Sequence, residues 1–173
     1  MDRNSKTTKI IVIALLIAAE VVLTRFLSIQ LPTMRIGFGF IPIAIAAMLY
    51  GPVWAGLAHT VSDLLGIFLF PAVGGFFPGF TLTACLTGVI FGLVLYKKDV
   101  NILRAFIAAL LVVLFLNLIL DTYWLVILTG KGFTVLLPAR ILKCAITLAL
   151  QTALLPIIYH LIVKRLPFAG NQQ

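Results

Sequence analysis

The 173-residue chain is 62% hydrophobic and only 10% charged, with a mean hydropathy of +1.20; a soluble domain carries about 45–50% apolar residues, so a water-soluble globular protein is excluded. The net charge of +8 does not indicate nucleic acid, because the basic residues fall in short clusters between apolar runs, as membrane topology requires. Cys85 and Cys144 both lie inside apolar runs, which argues against a secreted disulfide framework.

The chain begins MDRNSKTTK, a basic head followed by a long apolar run. This looks like a signal peptide, but the run is long for one and is interrupted by Glu20 and Arg25, so it reads as a retained first span over about residues 9–28. The loop IQLPTMRIG follows, then a second helix over about 38–50, a Gly51-Pro52 turn and a third helix over about 53–70. Beyond GGFFPG comes a fourth helix over about 80–96, ended by KKDVN. A fifth covers about 102–128; after TGKGF, a sixth covers about 135–163, with Pro156 a candidate kink. The expectation is an all-α, multi-pass membrane protein: one domain, 1–173, folded as a six-helix transmembrane bundle.

Arg3, Lys6, Lys9, Lys97, Lys98, Arg104, Lys164 and Arg165 flank one side of such a bundle, against Arg35 and Lys131 on the other. The positive-inside rule then puts both termini in the cytoplasm and turns IQLPTMRIG, PAVGGFFPG and TGKGF outward.

Seven ionisable residues fall in or beside the spans: Glu20, Arg25, Arg35, Asp63, Asp121, Arg140 and Lys143. A charge at mid-bilayer costs about 2.5–3.5 kcal/mol even on lenient scales, so such residues line a cavity or pair inside the bundle. At a rise of 1.5 Å per residue, Asp63, Asp121, Arg140 and Lys143 all lie about 10 Å below the outer helix ends, which predicts a polar pocket open to the outer face. Arg140 and Lys143 share a helix face, as do Asn117, Asp121 and Trp124. The alternative is that the three cations Arg25, Arg140 and Lys143 merely neutralise Glu20, Asp63 and Asp121 in bundle-stabilising pairs. Phe76, Phe77 and Phe80 stand where they would wall this pocket and stack a flat ligand. An interfacial aromatic belt is the competing reading, though belts favour Trp and Tyr and need no glycines.

The run from Met34 to Ala84, and within it RIGFGFIPI, SDLLG and FPGFTL, closely resembles the substrate-binding S components of energy-coupling factor (ECF) vitamin transporters, especially the folate-specific members. The resemblance extends to the six-helix plan, with helices five and six matched by layout more than by motif. It implies a high-affinity folate-binding subunit in a bacterial cell membrane. Such a subunit captures the vitamin outside and delivers it inward by docking on a transmembrane T subunit and two cytoplasmic ATPases. The chain itself would be no enzyme and carry no cofactor; it has no Gly-x-x-x-x-Gly-Lys-Ser/Thr loop. The family's helix-one docking motif, alanine-x-x-x-alanine, is matched by Ala14 and Ala18, with Ala44, Ala47 and Ala55 as rivals.

Folate joins a flat pterin to a dicarboxylate. Asp63 is the candidate acceptor for the paired N–H groups of the pterin, with Asp121 or Asn117 competing for that role. Phe77, Phe80 and Trp124 would stack the rings, and Arg25, Arg35, Arg140 and Lys143 would receive the glutamate end. The excess of cations argues against thiamine. Two other readings stay open: the same scaffold serving another anionic ring-containing nutrient, such as a queuosine precursor or pantothenate, and a small intramembrane enzyme using His59, Asp63 and Asp121. A His59–Asp63 metal site lacks a second ligand cluster in the sequence.

Overall fold

The computed structural model describes residues 6–31, 34–70, 76–130 and 132–165, and the side chains of residues 29–36 fall outside the description. Arg3, Lys131 and the two glycines Gly74 and Gly75 of GGFFPGF therefore lie outside the described residues. The elements in chain order are α1 (Lys6–Arg25), β1 (Ser28–Leu31), β2 (Met34–Gly37), α2 (Phe40–Tyr50), α3 (Pro52–Leu69), α4 (Pro78–Leu95), α5 (Ile102–Thr129) and α6 (Phe133–Val163). All except α2 and the strands are long and apolar enough to cross a membrane.

The first helix ends three residues before the limit the sequence suggests, and the expected outer loop IQLPTMRIG is largely an antiparallel hairpin. Ser28 pairs with Gly37, Ile29 with Ile36, Gln30 with Arg35 and Leu31 with Met34. Four-residue strands with few β-branched positions give almost no alternating signal, so hydropathy cannot see them. At the end of α1, the Thr24 hydroxyl donates to the Glu20 carbonyl and the Ser28 hydroxyl to the Thr24 carbonyl, a local alternative to continued helix.

Helix α2 has only 11 residues, but eight in a row, Pro42 to Leu49, are buried. A helix apolar all round belongs in the centre, and α1, α3, α4 and α6 surround this one. Ile43, Ala44, Ala46 and Ala47 have no exposed surface. Gly51, at φ +87°, makes the immediate turn into α3, a conformation that a side chain would strain. The outer faces of the long helices are apolar as well: Leu15, Leu57, Phe68, Leu93 and Leu142 are all exposed. That inversion of the soluble pattern suits a lipid surround.

Helices α3 and α4 pass backbone against backbone. Gly88 and Gly92 sit four residues apart on α4; a Cβ on the first would overlap the backbone of Ala55, and one on the second the backbone of Pro52. Lipid offers helices no hydrophobic drive to associate, and small residues at this spacing supply adhesion by close van der Waals contact instead.

Helix α5 is not uniform. Between Ile102–Leu111 and Asp121–Thr129, residues Val112–Leu120 form a π-helix, whose i→i+5 widening is common beside functional sites. Helix α6 carries Pro138 and Pro156 inside it and also widens to π at Tyr159–Val163. Proline removes a backbone donor and crowds the preceding turn, yet the helix continues as α through Pro156 to Ile158 before it widens.

Replacing Gly88 or Gly92 with leucine is expected to force α3 and α4 apart and destabilise the protein by about 1–3 kcal/mol or more. Thermal unfolding of the purified protein in detergent checks this; an unchanged midpoint for both variants would mean that the contact contributes nothing.

Candidate functional site

Five elements deliver ionisable or polar side chains to one end of the bundle. Asp63 of α3 accepts a hydrogen bond from the Thr81 hydroxyl of α4 at 2.8 Å. Two residues further along α4, the Thr83 hydroxyl donates to the Gly79 carbonyl at 3.1 Å and accepts the indole N–H of Trp124, on α5, at 3.2 Å. Asp121, one turn before Trp124, faces Lys143, Arg140 and the Thr83 hydroxyl and lies within electrostatic reach of Asp63. Lys143 of α6 donates to Asn117 Oδ1 at 3.4 Å. Asn117 lies in the π segment, and its amide donates to the carbonyl of Val112, five residues earlier, also at 3.4 Å.

The cations are unequally engaged. Arg140 is only 4% exposed and Lys143 8%, although both are basic. The Arg140 Nε is buried without a hydrogen-bond partner among the described residues. A guanidinium offers five donors, and leaving one buried and unmet costs about 1–3 kcal/mol or more. Arg25, by contrast, is tied to the fold: its Nη1 donates to the Phe70 carbonyl at 3.0 Å, at the C-terminal end of α3. A positive charge there complements the helix dipole. Gly66 makes the room, since a Cβ on it would stand 2.8 Å from Arg25 Nη2. Arg25 also lies within electrostatic reach of Asp63. Arg35 is on β2, opposite Gln30, on a strand that packs against α6; its side chain is outside the description.

Aromatic rings border this cluster. Phe77 lies edge-on to Phe80 with centroids 5.8 Å apart and tilted against Trp124 at 5.7 Å. A Cβ on Gly79 would come within 2.6 Å of the Trp124 ring, so a glycine is what lets the indole lie on the first turn of α4. Phe76 faces elsewhere: it is half-exposed and stacks on Phe68 at 6.2 Å.

Of the residues that the sequence singles out, Asp63, Asp121, Trp124, Arg140, Lys143, Phe77 and Phe80 are thus gathered around Thr81 and Thr83, with Arg25 at the Asp63 side. The two threonines, which tie Asp63 and Trp124 into the cluster, are members the sequence does not single out. A hydroxyl in an apolar helix costs little and gives a weak hydropathy signal; the only sign was their i, i+2 placement directly after FPGF. His59 is occupied differently from the enzyme reading. Its Nε2 meets Glu20 at 3.0 Å across the α1–α3 interface, while Asp63 bonds to Thr81. Among the described residues no group of three His, Cys, Asp or Glu could hold a metal ion.

Residues 8–159 match the family described as ECF transporter, substrate-specific component. A folate transporter FolT from Clostridium novyi (strain NT) is 47% identical over 141 residues, spanning 82% of this chain and 81% of that protein. The folate transporter FolT of Leuconostoc mesenteroides is 29% identical over 154 residues, or 86% and 82% of the two chains. A crystal structure of FolT bound with folic acid superposes with a TM-score of 0.82 at 37% identity, covering 88% of this chain and 94% of that one.

The Glu20 carboxylate, 4% exposed, depends on His59. Replacing His59 with alanine should destabilise the protein by about 3–5 kcal/mol, because it leaves a buried charge uncompensated, whereas replacing both residues with leucine should cost far less. Equal losses in the single and double variants, measured by unfolding in detergent, would show that the pair is not coupled.

Proposed function

The chain belongs to the substrate-specific components of ECF transporters, and from that membership we propose that it binds folate with high affinity in a bacterial cell membrane and hands it inward on docking to a T subunit and two cytoplasmic ATPases. The partner ATPases consume the ATP, and this chain needs neither a cofactor nor a catalytic residue.

The observation that carries the ligand reading is Arg140, a buried guanidinium with an unmet Nε. A folate glutamate carboxylate is the anion that such a group accepts, in bidentate form, with the buried Lys143 one turn along the helix. At the other end, the Asp63 carboxylate, steadied by Thr81, is suited to accept the paired N–H groups of the pterin, with Asp121 as its neighbour. Between them the pterin and benzoyl rings would stack on Phe77, Phe80 and Trp124. Arg25 adds charge near Asp63, and Arg35, on β2, is a further candidate for the glutamate end. With Arg25, Arg140 and Lys143 against Asp63 and Asp121, the cluster favours an anionic ligand over a cationic one.

Helix α1 supports the docking role. Ala14 and Ala18 are exposed on its outer side, whereas Ala44, Ala47 and Ala55 are fully buried and cannot meet another subunit. The distribution of basic residues supports cytoplasmic termini and a site that opens outward.

Purified chain should bind folate in detergent without ATP or partners, as read by isothermal titration. Arg140→Gln should weaken folate about tenfold or more yet leave a pterin lacking the glutamate nearly unaffected; equal loss for both would make Arg140 structural. Ala14→Leu and Ala18→Leu should leave folate affinity unchanged and abolish uptake in vesicles containing the complete transporter. Uptake at the normal rate would move the docking surface elsewhere.

A further inference from the structure

About 20 Å along α4 from Phe80, where that helix gives way to α5, the surface that faces lipid carries a groove of about 330 Å³. Its walls are apolar, Leu93 and Val94 from α4 and Leu103 and Ile107 from α5, and two cations, Lys98 and Arg104, stand at it without any lining carboxylate. Leu93 and Leu103 are 62% and 71% exposed, on helices that span the membrane, so the occupant is met from the lipid phase.

The surrounding contacts keep the groove positive. Asp99, the acid of the connecting loop, turns its carboxylate to the Tyr159 hydroxyl on α6 at 2.8 Å, away from the groove. Its backbone carbonyl meanwhile accepts Arg104 Nη1, also at 2.8 Å, which holds the guanidinium in place and leaves its remaining donors available. Lys97 is engaged over the Tyr96 ring at 5.5 Å and does not line the groove.

We propose that this groove binds one anionic phospholipid, with its phosphate between Lys98 and Arg104 and its acyl chains along Leu93, Val94, Leu103 and Ile107. An apolar furrow ending in two cations, one of them held in place by Asp99, is complementary to that molecule in both charge and polarity, and a zwitterionic lipid satisfies only the apolar part. The inference is independent of the vitamin bound at the other end. Basic residues near an anionic leaflet contribute about fivefold each to affinity.

Native mass spectrometry of the full chain in mild detergent tests this with phosphatidylglycerol and phosphatidylcholine of matched acyl chains. Phosphatidylglycerol should be retained preferentially, and the preference should fall about fivefold in K98Q and again in K98Q/R104Q. Soluble glycerol phosphate should not displace it. Equal retention of the two lipids, a preference unchanged by K98Q, or displacement by glycerol phosphate would each overturn the proposal. Should R104Q loosen the loop through its lost bond to Asp99, K98Q alone decides the outcome, with the thermal midpoint as the check on folding.

Discussion

Without side chains at Gly88 and Gly92, the backbone of α4 lies directly on Ala55 and Pro52 of α3, and this contact determines how closely the two helices run. In lipid, apolar side chains gain little by leaving their surroundings, so such van der Waals contact provides much of the adhesion. Asp63 and Thr81 meet at 2.8 Å because their helices are this close. The same seam presents Thr83 to Trp124, and through it α5 is brought to the polar cluster.

The second determinant is the cost of charge in a low-dielectric interior. Each ionisable group inside the bundle must find a partner, a solvated recess or a ligand. Glu20 finds His59, Asp63 finds Thr81, and Lys143 finds Asn117. Arg25 finds the Phe70 carbonyl at a helix end. Arg140 is the member whose Nε has no protein partner among the described residues, and its burial makes this costly. Most charged groups in the spans are thus reconciled within the protein, and the Arg140 guanidinium, within electrostatic reach of Asp121, keeps a donor that no described residue meets.

Much of this was legible in the sequence, and for a physical reason. Apolar runs interrupted by Gly-Pro, KKDVN and TGKGF mark helices because no other open structure satisfies its backbone in lipid. Asp63, Asp121, Arg140 and Lys143 stood out because their insertion is costly. What could not be read is what depends on tertiary contact. Nothing about Glu20 and His59, 39 positions apart, announces that α1 and α3 bring them together. The hairpin was hidden by its length, and Thr81 and Thr83 by their near-neutral polarity. Gly88 and Gly92 carry a readable four-residue spacing, but so do the alanines of α1, and spacing alone does not say which pair packs inside the bundle.

The π segment Val112–Leu120 was invisible because VVLFLNLIL is apolar in any helical register. Its widened turn accommodates one more residue than an α-helix would between the anchored start of α5 and Asp121. Loss of a single codon from this stretch would thus leave the span as hydrophobic and nearly as long as before. The widened turn would tighten to α and keep Asp121 and Trp124 on the Thr83 side, whereas the same loss from Ile102–Leu111, which has no spare residue, would rotate them about 100° around the helix axis. A hydropathy profile would not tell these two deletions apart, and the site would.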